Sequence, residues 1–235
     1  MIPKSSPSVL PLGDAAVVVT FGDDIDPDIH ERVMAFAQHL DSSPPPAMVE
    51  YIPAFTTVTL TYDPLVRTYD EFIASVQTVL DEVGSRGETK DTRPPVEIPV
   101  YYGDELGPDL DFVASHNDLT PEEVVKIHSG TTYLVFMVGF APGFPYLGGM
   151  SPRIAAPRLD SPRTAVPAGS VGIAGAQTGV YSIETPGGWR LVGRTPLKLF
   201  EPTASAPSLL HAGDHVRFLP IDRGEYETMA REATS

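Results

Sequence analysis

A chain of 235 residues with 42% hydrophobic content is long enough to bury one large core or two modest ones. It has no cysteine, which excludes disulfides, thiolate metal ligands and cysteine nucleophiles and suits a reducing cytosol. Its formal charge of −15 opposes binding to a phosphate backbone, so nucleic acid is not an expected partner.

The opening Met1–Asp14 stretch has no apolar core of the signal-peptide kind, and no apolar run approaches the roughly 20 residues needed to span a bilayer, so a cytoplasmic protein without a membrane partner is expected. Ala15–Phe21 is a β-branched run that reads as a strand. Asp26-Pro27 then supplies an N-cap with proline at the first helical position. Ile29, Val33, Phe36, Ala37 and Leu40 mark one helical face, and Ser42–Pro46 ends the helix. Val49–Ile52 and Thr57–Tyr62 read as strands, the second setting Val58, Leu60 and Tyr62 against threonines. Thr68 and Glu71 form a capping box for a second amphipathic helix through Phe72, Ile73, Val76, Val79, Leu80 and Val83. With Val96–Tyr101 as the next strand, the order is βαββαβ, a ferredoxin-like arrangement. The polar Gly84–Pro95 stretch reads as a linker.

Beyond it, Leu119-Thr120-Pro121-Glu122-Glu123-Val124 specifies a helix start with a cap, a first-turn proline, a capping box and an apolar staple, and Ser129-Gly130 stops that helix. Thr132–Val138 reads as a buried strand. Val171–Ala174, Val180–Ile183, Arg190–Val192 and Val216–Leu219 follow as short strands between glycine and proline turns, the pattern of a sandwich or barrel. No internal repeat is evident.

Residues 139–200 invert the charge of the chain, with six basic and two acidic groups and 11 of the 20 glycines. A basic island in an acidic protein focuses its field on anions. Gly139–Gly149 interleaves Phe140, Phe144 and Tyr146 with glycines and prolines, either as a packing loop or as a ligand wall. Arg158 and Arg163 each follow a proline, and rigidly presented guanidinium forks suit a carboxylate or phosphate. Ser170, Gln177 and Thr178 offer hydroxyl and amide groups among glycines, although Ser170 as nucleophile needs a base the sequence does not place. Trp189, the only tryptophan, follows a glycine pair as a plug or a pocket wall. His128 lies in the last turn of the capped helix, with two readings open: a C-terminal cap favoured by the helix dipole, or an acid/base or hydrogen-bond donor facing the loop after Val138. His211 and His215 are spaced as a metal pair, but the intervening Ala-Gly-Asp favours a turn, and no metal is expected. No serine-nucleophile elbow, zinc-binding helix motif, phosphate loop or dinucleotide fingerprint is present.

The segments His128-Ser129-Gly130, GFAPGFPYLGGM, APRLDSPRTAVPAGSVGIAGAQTGVYS, TPGGWRLVGRTP and LLHAGDHVRF, in that order, resemble the family that unites the B subunit of 5-oxoprolinase (PxpB), KipI and allophanate hydrolase subunit 1. The resemblance is dense over about 128–220 and weaker over GDAAVVVTFG and Ile52–Pro64. It implies an N-terminal α/β domain, over 1–93 and ferredoxin-like by the element order above, followed by a cyclophilin-like β-barrel domain over 94–235 that carries the ligand site, an α+β chain. It further implies part of a hydrolase, inactive alone, that works with a KipA-like C subunit and the A subunit of 5-oxoprolinase to open 5-oxoproline to glutamate. The complex would use ATP while this chain binds no cofactor. Within that reading His128 is the catalytic candidate, Arg158, Arg163, Ser170, Gln177 and Thr178 bind a small amide or carboxylate, and Phe140, Phe144, Tyr146 and Trp189 form the wall. The same family carries two alternatives, a component of a urea carboxylase or allophanate hydrolase and an inhibitor of a sensor histidine kinase.

Overall fold

The computed structural model describes residues 6–85 and 94–233. It divides into two compact units, Met1–Thr92 and Arg93–Ser235. Most of the expected linker, Gly84–Pro95, lies outside the described residues.

The first unit is an antiparallel sheet of β1 (Ser8–Pro11), β2 (Ala16–Thr20), β3 (Met48–Pro53) and β4 (Thr57–Tyr62), in the order β1-β2-β4-β3, with α1 (Pro27–Ser42) and α2 (Tyr69–Ser85). The Asp26 carboxylate caps α1 by accepting from the Asp28 and Ile29 amides at 2.8 and 3.3 Å. Alternation in β2 and β4 sends Val17, Val19, Val58, Leu60 and Tyr62 to one face, where Val33, Phe36, Leu40, Phe72 and Val76 meet them in one buried cluster. Each such side chain contributes about 1.5–3 kcal/mol by leaving water. Tyr62 and Phe72 stack with ring centroids 4.4 Å apart.

One expectation fails here. Val96–Tyr102 does not complete this sheet; it is β5 of the second unit, and the edge beside β2 is taken by β1 from the chain's start. Four residues ending in proline carry too little alternation to announce a strand.

The second unit is a closed seven-stranded barrel, β10-β7-β6-β13-β5-β12-β9, built from β5 (Val96–Tyr102), β6 (Thr132–Val138), β7 (Pro145–Gly148), β9 (Ser170–Ala174), β10 (Gln177–Val180), β12 (Arg190–Arg194) and β13 (His215–Pro220). A separate pair, β8 (Arg163–Val166) and β11 (Thr185–Gly187), forms a short antiparallel arm. The protein is therefore α+β with a closed β-barrel. Helices α3 (Leu110–His116), α4 (Pro121–Ser129) and α5 (Arg223–Glu232) complete the unit. Thr120 and Glu123 cap α4 as the sequence predicts, and Leu119 packs on the core that holds Val124. The strand expected at Val180–Ile183 is displaced: it runs over Gln177–Val180, because a two-residue turn at Gly175-Ala176 pairs Gln177 with Ala174.

Inward residues of successive strands, among them Val100, Tyr133, Val135, Leu147, Ile173, Val180, Val192 and Phe218, fill the barrel. A second cluster lies apart from it: Ala174 and Leu191 leave β9 and β12 on the outer face, where Val166 of β8 and Phe144, Tyr181 and Trp189, which flank β7, β10 and β12, join them. That separation decides where the expected site residues go.

Candidate functional site

Strand β10 sorts them. Thr178 and Val180 face the barrel interior, so by alternation Gln177 and Gly179 face outward. The Thr178 hydroxyl donates to the Gly172 carbonyl at 3.0 Å and lies 2.9 Å from His128 Nε2. Since a carbonyl only accepts, Thr178 has spent its proton there and accepts from an Nε2–H of His128. The bare Nδ1 then accepts from the Tyr102 hydroxyl at 2.7 Å. Tyr133 donates to the His128 carbonyl at 2.7 Å, and the imidazole stacks on Phe218 at 4.6 Å. Burial pulls the His128 pKa from 6.5 to about 3, so the ring is neutral at pH 7.

His128 is fully buried, its Nε2–H donating to Thr178 and its Nδ1 accepting from Tyr102, so the ring is held as a neutral hydrogen-bonding group behind the sheet, without the charge that a dipole-favoured cap needs. It is a polar latch joining α4 to β5 and β10. Ser170 is buried in β9, where its carbonyl accepts from the Tyr181 amide at 2.9 Å, and the one histidine of the barrel core is bonded to Thr178 instead.

On the outer face Phe144 is the hub of an edge-to-face aromatic cluster. Its ring lies 5.0 Å from Tyr146, 5.3 Å from Tyr181, 5.5 Å from Trp189 and 5.5 Å from Phe140. Two glycines make the room. A Cβ on Gly179 would come within 2.8 Å of the Pro145 carbonyl oxygen and within 3.2 Å of the Trp189 and Phe144 rings, and one on Gly187 would overlap the Tyr181 hydroxyl. Phe140 is different from the other three expected wall residues, being 65% exposed with φ at +67°, a conformation that costs a bulky residue on the order of 1–3 kcal/mol. Its loop is pinned by Gly139 N–H to the Phe144 carbonyl, Phe144 N–H to the Ala141 carbonyl and Ser182 Oγ to the Pro142 carbonyl, at 3.0, 3.0 and 2.5 Å.

The basic island is partly neutralised by a residue outside it. Arg163 Nη2 donates to both oxygens of Asp109 at 3.0 and 2.9 Å, while its Nη1 donates to the Trp189 carbonyl at 3.3 Å. Asp109 also accepts from the Leu191 amide at 2.7 Å and lies 4.0 Å from Arg190. Arg190 in turn stacks 3.6 Å over the Phe112 ring. Lys198 pairs with Glu201 at 3.5 Å. Arg158 is exposed, and among the described residues it has no carboxylate within ion-pair distance. Burial raises the Tyr181 hydroxyl pKa, opposed by the Trp189 amide and by the charges of Arg158 and Arg163.

The structure thus brings Phe140, Phe144, Tyr146, Trp189, Arg158 and Arg163 to one outer face, with Gln177 directed to the same side, and sets His128 and Thr178 behind the sheet. Sequence reasoning missed Asp109, Tyr181 and Tyr102. Asp109 stands in a Gly-Pro-Asp-Leu-Asp run that signals a helix start, while Tyr181 falls inside a stretch that reads as a plain strand. Among the described residues no group of three His, Cys, Asp or Glu side chains could hold a metal ion, and no helix is long and apolar enough to cross a membrane. His211 and Asp214 form a turn in which the Asp214 carboxylate accepts from the His211 amide at 2.8 Å.

Residues 7–210 match the family model described as "Carboxyltransferase domain, subdomain C and D". The chain is 48% identical over 232 residues to the B subunit of 5-oxoprolinase from Bacillus subtilis, covering 94% of this chain and 96% of that protein. Among solved structures, TTHA0988 superposes with a TM-score of 0.78 at 35% identity, covering 88% of this chain and 40% of that one, so the chain spans about two-fifths of that relative's length. PH0987 from Pyrococcus horikoshii, described as a conserved uncharacterized protein, matches at 46% identity over 93% of this chain and 100% of that one, with a TM-score of 0.56.

Proposed function

The chain belongs to the carboxyltransferase subdomain C and D family that the match over residues 7–210 defines, and from that membership we propose that it is the B subunit of an ATP-dependent 5-oxoprolinase. The single observation that carries this is the end-to-end likeness, 48% identity over nearly the whole of both chains, to a protein of that name. The complex, completed by a KipA-like C subunit and an A subunit, adds water across the lactam of 5-oxoproline to give glutamate while ATP is cleaved to ADP and phosphate. This chain holds neither nucleotide nor metal in that scheme and works in the cytoplasm.

The outer aromatic face is the half of the site this chain supplies. Arg158, exposed and not paired to a carboxylate among the described residues, meets the carboxylate of 5-oxoproline. Phe144, Tyr146 and Trp189 give a rigid apolar floor, with Gln177 at its edge for the lactam amide. Arg163, tied to Asp109, holds that floor in place, and His128 with Thr178 braces the sheet from within. The role is positioning and electrostatic stabilisation, with the attacking group supplied across the interface. The four-stranded order β1-β2-β4-β3 suits a ferredoxin-like fold in which β1 stands where Val96–Tyr102 was expected, and the seven-stranded unit a cyclophilin-like barrel.

The test is reconstitution. The three proteins with ATP should release glutamate from 5-oxoproline and none should do so alone; absence of glutamate from the full set, with urea turned over instead, would sink the assignment.

A further inference from the structure

We infer that the Tyr181 hydroxyl is a second donor to the substrate carboxylate that Arg158 meets, an inference that rests on the 5-oxoprolinase reading above. Tyr62, Tyr133 and Tyr181 are each no more than 4% exposed. Tyr62 donates to the Asp14 carbonyl at 3.1 Å and Tyr133 to the His128 carbonyl at 2.7 Å. Tyr181 accepts from the Trp189 amide, but among the described residues its own proton has no acceptor. A buried hydroxyl that leaves its proton unspent gives up stability, so the exception calls for a reason. The ring cannot swing to find an acceptor, because Phe144 and Trp189 hold it edge to face at 5.3 and 6.5 Å.

The backbone ties this hydroxyl to Arg158. A Cβ on Gly187 would come within 2.2 Å of the hydroxyl oxygen, so the hydroxyl lies directly against Gly187, whose partner across the arm is Arg163. The next residue, Gly188, accepts from the Leu159 amide at 2.8 Å, and the Pro157 carbonyl accepts from Arg190 Nε at 3.1 Å. Arg158 is thus fixed through its backbone on both sides, once to the neighbour of the glycine under the hydroxyl, while the residue itself is exposed. Gly187 and Gly188 are only partly buried and set no side chain over the hydroxyl, so a carboxylate on Arg158 reaches it across bare backbone.

Charge separates the arginines of this segment. Arg158 and Arg163 are the two whose charge bears on the Tyr181 hydroxyl, and Arg163 is held by Asp109. Arg190 lies 4.0 Å from the same carboxylate, and Arg194 donates through Nε to the Ala168 carbonyl. Burial raises the pKa of the Tyr181 hydroxyl, so it is protonated at neutral pH and meets an anion as a donor. A carboxylate has two oxygens, which lets it take the guanidinium and the phenol together, and a phenol bonded to a carboxylate is a charge-assisted pair.

The experiment is steady-state kinetics of the assembled complex on 5-oxoproline, for wild type, Tyr181→Phe, Arg158→Ala and the double variant. Phenylalanine keeps the ring, so the Trp189 bands in the near-ultraviolet circular dichroism of the variant chain should persist. Its melting temperature should fall by no more than a few degrees, the Trp189 amide having lost its acceptor. Tyr181→Phe is expected to raise the KM about ten-fold with kcat within about two-fold of wild type. The double variant should raise it by less than the product of the two single rises, since both donors hold one group. An unchanged KM in Tyr181→Phe, single rises that multiply in full, or a kcat that falls by as much as the KM rises would each overturn the donor role and leave the 5-oxoprolinase reading standing. A wild-type complex that releases no glutamate would overturn both.

Discussion

Arg163 donates through a single Nη2 to both carboxylate oxygens of Asp109, and this fork ties the β8 arm to the loop ahead of α3. The same carboxylate receives the Leu191 amide, and the same guanidinium holds the Trp189 carbonyl, so one ion pair fixes the position of the aromatic floor.

Replacing Asp109 by Asn leaves Arg163 without its counter-charge at a site where the aspartate side chain is only 10% exposed. The expected cost is about 2–3 kcal/mol. Trp189 is the sole tryptophan, so its emission should shift to the red in the folded variant. A variant with wild-type emission and wild-type urea midpoint would show that the pair positions nothing.

Arg158→Ala and Arg163→Ala should part company. The exposed Arg158 is expected to leave the unfolding free energy within about 0.5 kcal/mol of wild type while raising the KM for 5-oxoproline in the assembled complex. Arg163→Ala should lower stability in the manner of Asp109→Asn, and the Asp109→Asn, Arg163→Ala double variant should cost less than the sum of the two singles.

Filling the outer face from beneath should be as harmful as emptying it. Gly179→Ala places a methyl against the Pro145 carbonyl, which is backbone and cannot swing away, and is expected to cost about 1–3 kcal/mol. Near-ultraviolet circular dichroism, which reports the Phe144–Tyr181–Trp189 packing, should weaken with it.

His128 sets an acid limit. Its folded pKa of about 3 lies below its ordinary 6.5, so between those values the unfolded chain takes up a proton that the folded chain refuses. Stability from this group is fully present above pH 6.5 and is lost as pH falls, by at most about 1.4 kcal/mol per unit. Urea unfolding from pH 7 to pH 4 should therefore fall more steeply for wild type than for His128→Gln, which itself starts about 1–3 kcal/mol less stable. Parallel slopes would mean that the imidazole is reachable by protons in the folded state.

Much of the fold was legible because it is locally encoded. The Asp26-Pro27 cap, the Thr120–Glu123 box and the Val58-Leu60-Tyr62 alternation each carry their instruction within a few residues, and the structure follows them. Partner choice is not local. Nothing within Val96–Tyr102 says that its neighbours are β12 and β13 and not β2, and nothing in β1 says that it fills the vacated edge. For the site, His128, Thr178, Trp189 and Phe144 stand together as candidates by residue type, but side-chain direction alternates with each residue, so Thr178 and Gly179, adjacent in the chain, face different compartments. The weight given to the basic segment 139–200 also overlooked Asp109, which lies thirty residues before that segment begins.

Strand β13 sits between β5 and β6, with Val216 aligned on Val96 and also on Tyr133. On a ribosome the first unit's sheet has all of its strands once residue 62 has emerged, but the barrel's ring stays open until residue 220 is available. Between the emergence of β6 at residue 138 and that of β13 at residue 220, β5 and β6 each present an edge that lacks its β13 neighbour, which exposes the nascent chain to edge-to-edge association over that stretch of synthesis.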